Sequence, residues 1–187
     1  FGPSMGINNI PANLAERIEV YKGVLPVTLG ADALGGAVNI VTRKALNYLD
    51  ATYTTGSFNT HKVSVNNALT NEPAGLTLRS NLFYNYSDNN YRIFVPVLDL
   101  ETGQKGTPQW VERFHDRYQS AGVKVEGGFT NKNFADYLLL GVLVSGNRKA
   151  VQNGVTMESV FGDIISEAYS VIPSIRYHKK NLVVDGL

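Results

Sequence analysis

Three groups of residues have types that chemistry uses. Gly30, Gly35 and Gly36 crowd a short stretch as in a phosphate-cradling loop, but no Gly-Lys-Ser/Thr follows and the next strand starts at once. Glu16 and Glu19 are the right types for a general acid and base. Three apart on a strand, they face opposite sides and do not share a substrate. His61, His115 and His178 stand far apart, with no His-x-x-His and no carboxylate at ligand spacing, and read as ordinary polar residues. Ser145-Gly146 lacks the glycine two before the serine that a nucleophile elbow requires. Cysteine is absent, which removes disulfides, thiolate zinc sites and cysteine nucleophiles. With no catalytic constellation, metal set or cofactor motif left, the chain reads as something other than an enzyme.

Composition narrows the alternatives. In 187 residues, 17 Lys and Arg balance 16 Asp and Glu, giving a net charge of +1 with no run of one sign. Nucleic acid is not the expected partner, because neutralising phosphates takes a basic face. Charged residues are 18% of the chain, below the roughly 25% of an ordinary soluble domain. The 18 Gly, 18 Asn and 10 Tyr point to strands and turns rather than helices. The longest apolar run, residues 137–144, is too short for a membrane helix of about 20 residues. A membrane-spanning strand needs only about 9–11 residues and escapes hydropathy.

The elements that would carry these residues fall into two groups. In residues 1–45, Pro11 suits a helix start, so a short helical turn is expected over 11–15. A strand follows at 17–21, ended by Gly23, then a loop through Pro26, the compact Gly30–Gly36 turn, and a strand at 37–42. From residue 48 the period becomes two over long segments. Leu49, Ala51 and Tyr53 alternate with Asp50, Thr52 and Thr54, and Val63, Val65 and Leu69 with Lys62, Ser64 and Asn66. The segment 76–87 sets Leu76, Leu78, Leu82, Tyr84 and Tyr86 against Thr77, Arg79, Asn81, Asn85 and Ser87. Residues 117–129, 134–145 and 168–178 complete six strands, and a seventh opens at Leu182.

The connections have an order too. Leaving aside the first hairpin, whose turn at 57–59 is short, those at Asn71, Asn131 and Lys179 are short, whereas residues 88–116 and 146–167 form long excursions. Short turns on one rim and long loops on the other characterise outer-membrane barrels. A soluble sandwich, the alternative on pattern alone, has shorter strands and no reason to segregate its loops. On the barrel reading Lys62, Arg79, Asn81, Lys124 and Arg176 face the lumen. A large polar group at Asn66 is expected to be tolerated there. The sequon Asn85-Tyr86-Ser87 then carries no meaning, and Tyr53, Tyr84, Tyr86, Tyr169 and Tyr177 suit an interfacial aromatic girdle.

Glu16-Arg17-Ile18-Glu19-Val20-Tyr21-Lys22-Gly23, followed by Gly30-Ala31-Asp32-Ala33-Leu34-Gly35-Gly36-Ala37-Val38-Asn39-Ile40-Val41-Thr42-Arg43-Lys44, resembles the end of the plug domain of TonB-dependent outer-membrane receptors. In that family an E-R-I-E-V-x-x-G strand leads through a loop to a G-x-x-A-x-G-G-x-x-N-I-x-T strand, and the barrel begins soon after. The remainder of the chain resembles the family in pattern only.

The resemblance implies an all-β-dominated fold. Residues 1–45 would be the C-terminal part of a small α/β plug, and 46–187 the first six to seven strands of a large antiparallel transmembrane barrel. It implies a bacterial outer-membrane receptor that takes up a scarce ligand with energy. A ferric siderophore or other metal chelate is the commonest cargo, with oligosaccharides behind it. A non-transporting barrel, such as an adhesin or passive porin, is the alternative. The TonB energy-transducing complex would engage an N-terminal segment expected before Phe1, and lipid would surround the wall. Glu16, Arg17 and Glu19 become candidates for charge contacts between plug and wall, and Gly23, Gly30, Gly35 and Gly36 for tight plug turns. No cofactor is implied.

Overall fold

The computed structural model describes residues 15–23, 36–42, 45–99, 101–154 and 160–180. The described residues form strands and their connections, with no helix among them. Strands β1 (Ala15–Lys22) and β2 (Gly36–Thr42) pair antiparallel, joining Val20 to Val38 and Ile18 to Ile40. The helical turn expected over 11–15 lies outside the described residues except for Ala15, which is already strand. The loop through Pro26, most of the Gly30–Gly36 turn and the strand expected at Leu182 also lie outside them.

The rest of the chain builds a six-stranded antiparallel sheet in the order β10-β9-β8-β5-β4-β3. Its strands are β3 (Tyr48–Gly56), β4 (Thr60–Asn71), β5 (Leu76–Ser87), β8 (Tyr118–Lys132), β9 (Ala135–Ala150) and β10 (Ile165–His178). Most are 12 to 16 residues long, two to three times the usual length in soluble sheets, about 5–6. Between β5 and β8 a hairpin, β6 (Arg92–Leu98) and β7 (Lys105–Glu112), stands as a separate two-stranded sheet.

Two expectations are corrected here. Residues 88–116 are not simply a polar excursion, because 92–98 and 105–112 pair along most of their length. Asp99 closes that hairpin by accepting the backbone N–H groups of Glu101 and Thr102, the local turn chemistry that aspartate favours. The second long connection is also shorter than expected. Strand β9 runs on to Ala150 and β10 begins at Ile165, since Tyr169 pairs with Gly146 and Ile165 with Ala150. The loop is therefore 151–164. Polar residues such as Asn147 and Lys149 continue the ladder without contributing the apolar alternation by which strands are recognised.

Cross-strand register sorts the side chains cleanly. One face carries Ala51, Val65, Leu82, Val123, Val144 and Val171 in one band of neighbours, with Leu78, Leu140 and Ile175 nearby. The other carries Asp50, Asn66, Asn81 and Lys124, and beside them Arg79, Glu126 and Ser174. Burial is inverted relative to a water-soluble sheet. Leu82, Leu140, Val171 and Ile175 are 48%, 59%, 67% and 70% exposed, whereas Ser64, Asn66, Thr77, Asn81, Ser120 and Glu126 are buried. The buried apolar residues Ala68, Phe83, Ala135 and Leu139 lie on that same polar face. Among the described residues the more enclosed face of the sheet is therefore a polar trough.

Asn66 corrects a further expectation. It is 1% exposed and accepts a hydrogen bond from Asn81 across the strand pair, so it has no room for a large polar group. Glycine shapes the trough beside it. A Cβ on Gly122 would meet the Phe83 ring at 2.5 Å, so glycine lets that ring lie flat on the sheet.

Candidate functional site

The long connections converge at one rim. Phe58 in the 57–59 turn accepts a hydrogen bond from the Asp88 N–H, and Ala150 donates its N–H to Arg117. At the other rim are the short turns 72–75 and 133–134, where Thr130 donates to Gly75 and Tyr177 to the Phe134 carbonyl. Both long connections thus lie at one rim, together with the short 57–59 turn.

At the long-loop rim, buried polar groups anchor the base of the β6–β7 hairpin. Asp116, 5% exposed, pairs with Arg113 at 3.0 Å and Lys149 at 2.9 Å. Its backbone carbonyl accepts from Asn89. Gln152 is buried and its Oε1 accepts the N–H groups of both Phe114 and His115, while His115 Nε2 donates to the Ile164 carbonyl. These bonds tie Phe114 and His115 to Gln152 and Ile164, giving the buried Gln152 oxygen the donors that keeping it from water requires.

Beside this node opens a cavity of about 580 Å³, lined in part by Asp88, Glu112, Phe114, His115, Arg117 and Arg148. Asp88 accepts from Asn59, Tyr86 and Arg117. Those donors hold its carboxyl below the usual carboxylate range, Asn59 most strongly. Arg148 pairs with Glu167 at 3.2 Å. Paired opposite charges and the exposed Phe114 ring equip the cavity to bind a polar ligand. Among the described residues no cluster of His, Asp and Glu can hold a metal ion.

The sheet's trough holds a second charged group. Glu126 takes Lys124 at 3.1 Å and Arg176 at 2.9 Å, and Arg79 stands opposite it on β5. Gly141 makes this possible. A Cβ there would meet Glu126 Cγ at 2.7 Å and Ser174 Oγ at 2.9 Å, blocking the path from Glu126 to β10.

Of the residues singled out by sequence, Glu16, Arg17 and Glu19 occupy β1, and the structure brings two of them together. Arg17 donates to Glu19 at 2.7 Å, and Glu19 also accepts from Tyr21 and Asn39. These bonds lower the Glu19 carboxyl and raise the Arg17 guanidinium relative to their ordinary values. Glu16 is exposed. Gly23 ends β1 with φ +87°, and Gly36 opens β2 at φ +133°, where a Cβ would strike the Tyr21 carbonyl. Gly30 and Gly35 lie outside the described residues.

The three histidines are separate. His61 bridges Tyr53 and Asn59, His115 belongs to the rim node, and His178 lies 3.1 Å from Asp136 and stacks on Tyr137. Asn85 donates to Ser120 on the polar face. The sequence reading missed Arg113, Asp116 and Gln152, and its one available signal was the Asp99 turn between two short alternating runs. No family model, curated protein or solved structure matches the chain.

Proposed function

We propose that the six-stranded sheet is part of the wall of an outer-membrane β-barrel, and that the chain belongs to a TonB-dependent receptor importing a scarce ligand such as a metal chelate or oligosaccharide. The observation that carries the membrane half of this reading is the inverted burial of the sheet. In water each exposed Leu, Ile or Val of the outer face forgoes about 1.5–3 kcal/mol of burial, and lipid removes that deficit. From Leu76 to Tyr84 the outward band of β5 covers about 27 Å of strand at about 3.4 Å per residue. Tilted by about 40°, it spans roughly 21 Å, close to the roughly 25 Å apolar band of such barrels. Tyr53, Tyr84 and Tyr169 stand on that face towards the long-loop rim and Tyr177 towards the other, as girdle residues would.

The receptor half rests on the resemblance of residues 16–44, with the β1–β2 hairpin as plug. The cavity and the hairpin then belong to the cell-surface side, where cargo is met. Single cysteines at Thr107, Gly162 and Asn133, all exposed, test the topology in the Cys-free chain. On intact cells a membrane-impermeant maleimide is expected to label the first two and spare the third. Labelling at Asn133 alone would invert the topology, and equal labelling of all three would dismiss the membrane reading.

A further inference from the structure

From the trough we infer a binding site for a small free oxyanion, a phosphate or carboxylate group, formed by Arg79, Lys124 and Arg176 around Glu126. The inference concerns the chain's own polar face and does not require that the receptor reading be right. Its first ground is charge. Lys124 and Arg176 share the Glu126 carboxylate and Arg79 stands opposite it, so among the described residues three cations gather around one carboxylate on the polar face. Across the sheet middle, Lys62, Arg79, Lys124 and Arg176 share the polar face with Asp50 and Glu126 as its acidic side chains among the described residues.

The second ground is a set of unused donors. Nε of Arg79, and both Nε and Nη2 of Arg176, are shielded from water and make no hydrogen bond among the described residues. Arg176 Nη2 is 2.9 Å from Glu126 Oε2, an attraction between charges, but its hydrogens are not aligned on that oxygen. Glu126 is meanwhile drawn to Lys124 through its other oxygen. The Nε and Nη2 edge of a guanidinium is the fork that grips two oxygens of one anion, and on Arg176 Nε has no acceptor among the described residues while Nη2 has only the nearby Glu126 oxygen. Donors that have lost water without gaining an acceptor are a standing cost that an arriving anion removes. Access exists as well: the Arg176 side chain is 41% exposed and Lys124 27%.

The test is nuclear magnetic resonance of the arginine Nε–H groups in the full chain, held in a non-ionic maltoside detergent. Inorganic phosphate is titrated against sodium chloride at matched ionic strength. The Arg79 and Arg176 signals are expected to move saturably with phosphate and hardly at all with chloride, while Arg117 at the rim stays still. Arg176→Lys keeps the charge but loses the fork, and should weaken phosphate binding by about tenfold. Glu126→Gln removes the competing carboxylate and should strengthen it. Three results would overturn the site: no phosphate response, an equal response to chloride, or signals already shifted and protected in phosphate-free buffer. The last would mean that a carboxylate of the polypeptide itself fills the fork.

Discussion

At the scale of single residues, the trough is controlled by what is small as much as by what is charged. Gly141 is the clearest case, because the space its missing Cβ leaves is what lets Glu126 reach from β8 past β9 to Arg176 on β10. Gly141→Ala would press on Glu126 Cγ, Ser174 Oγ and the Val125 carbonyl together. Overpacking of that kind typically costs about 1–3 kcal/mol, outweighing the few tenths to 1 kcal/mol that alanine normally gains over glycine in a strand. Urea unfolding of the variant from lipid vesicles should show this as net destabilisation. A stabilised variant would mean that Glu126 moves aside freely and that the glycine has no packing role.

Among the elements, the β6–β7 hairpin stands apart because it shares no sheet with the six long strands and depends on its base. Asp116 is the centre of that base, with two cations on one buried carboxylate. Asp116→Ala would take from buried Arg113 and from Lys149 the carboxylate that both contact, a loss of about 3–5 kcal/mol for a pair of this burial. Faster hydrogen exchange at residues 92–112 and 151–154, with the long strands unchanged, is the expected signature. Uniform acceleration would mean that the node supports the whole sheet.

The neighbouring Asp88 gives the same rim a pH dependence. Its folded carboxyl lies below the ordinary value of about 3.9, so its stabilising contribution is fully present above that value and is lost as pH falls through the lower, folded one. The Asn59 side-chain amide resonance should therefore stay in place from neutral pH down to about pH 4 and shift below it. In Asp88→Asn that acid transition should vanish.

For the whole molecule, the governing fact is which face of the sheet meets what. Leu82 lies mid-strand on the exposed apolar face, and Thr52 is an exposed residue of the polar face on the edge strand β3. If the outer face meets lipid, Leu82→Arg should cost about 2–4 kcal/mol near the bilayer midplane. Thr52→Arg should cost little, since it adds a solvated charge. Folding titrations into vesicles would separate the two, and equal penalties would mean that the faces are assigned wrongly. The same inversion explains why the sheet is long-stranded yet has only four buried apolar side chains among the described residues. Its stability in water rests on ladder hydrogen bonds and polar pairs, and a solvent for the outer face is still owed.

The sequence by itself determined the long strands, their short turns and the division of side chains between two faces, because side chains alternate with period two and one residue of slip would exchange every one of them. It placed Leu76–Ser87 to the residue. It did not show that β6 and β7 pair, since their alternation is brief and their partner is a single neighbouring strand. Nor did it show that Asp116 meets Lys149 and that Phe114 meets Gln152, because residues up to 38 positions apart are joined by loop convergence, which leaves no local pattern. The fate of Asn66 was equally hidden. Polarity told which face it joins, but whether that face is open or enclosed depends on sheet curvature and on the side chains of neighbouring strands, and only the tertiary structure decided that this polar face is the buried one.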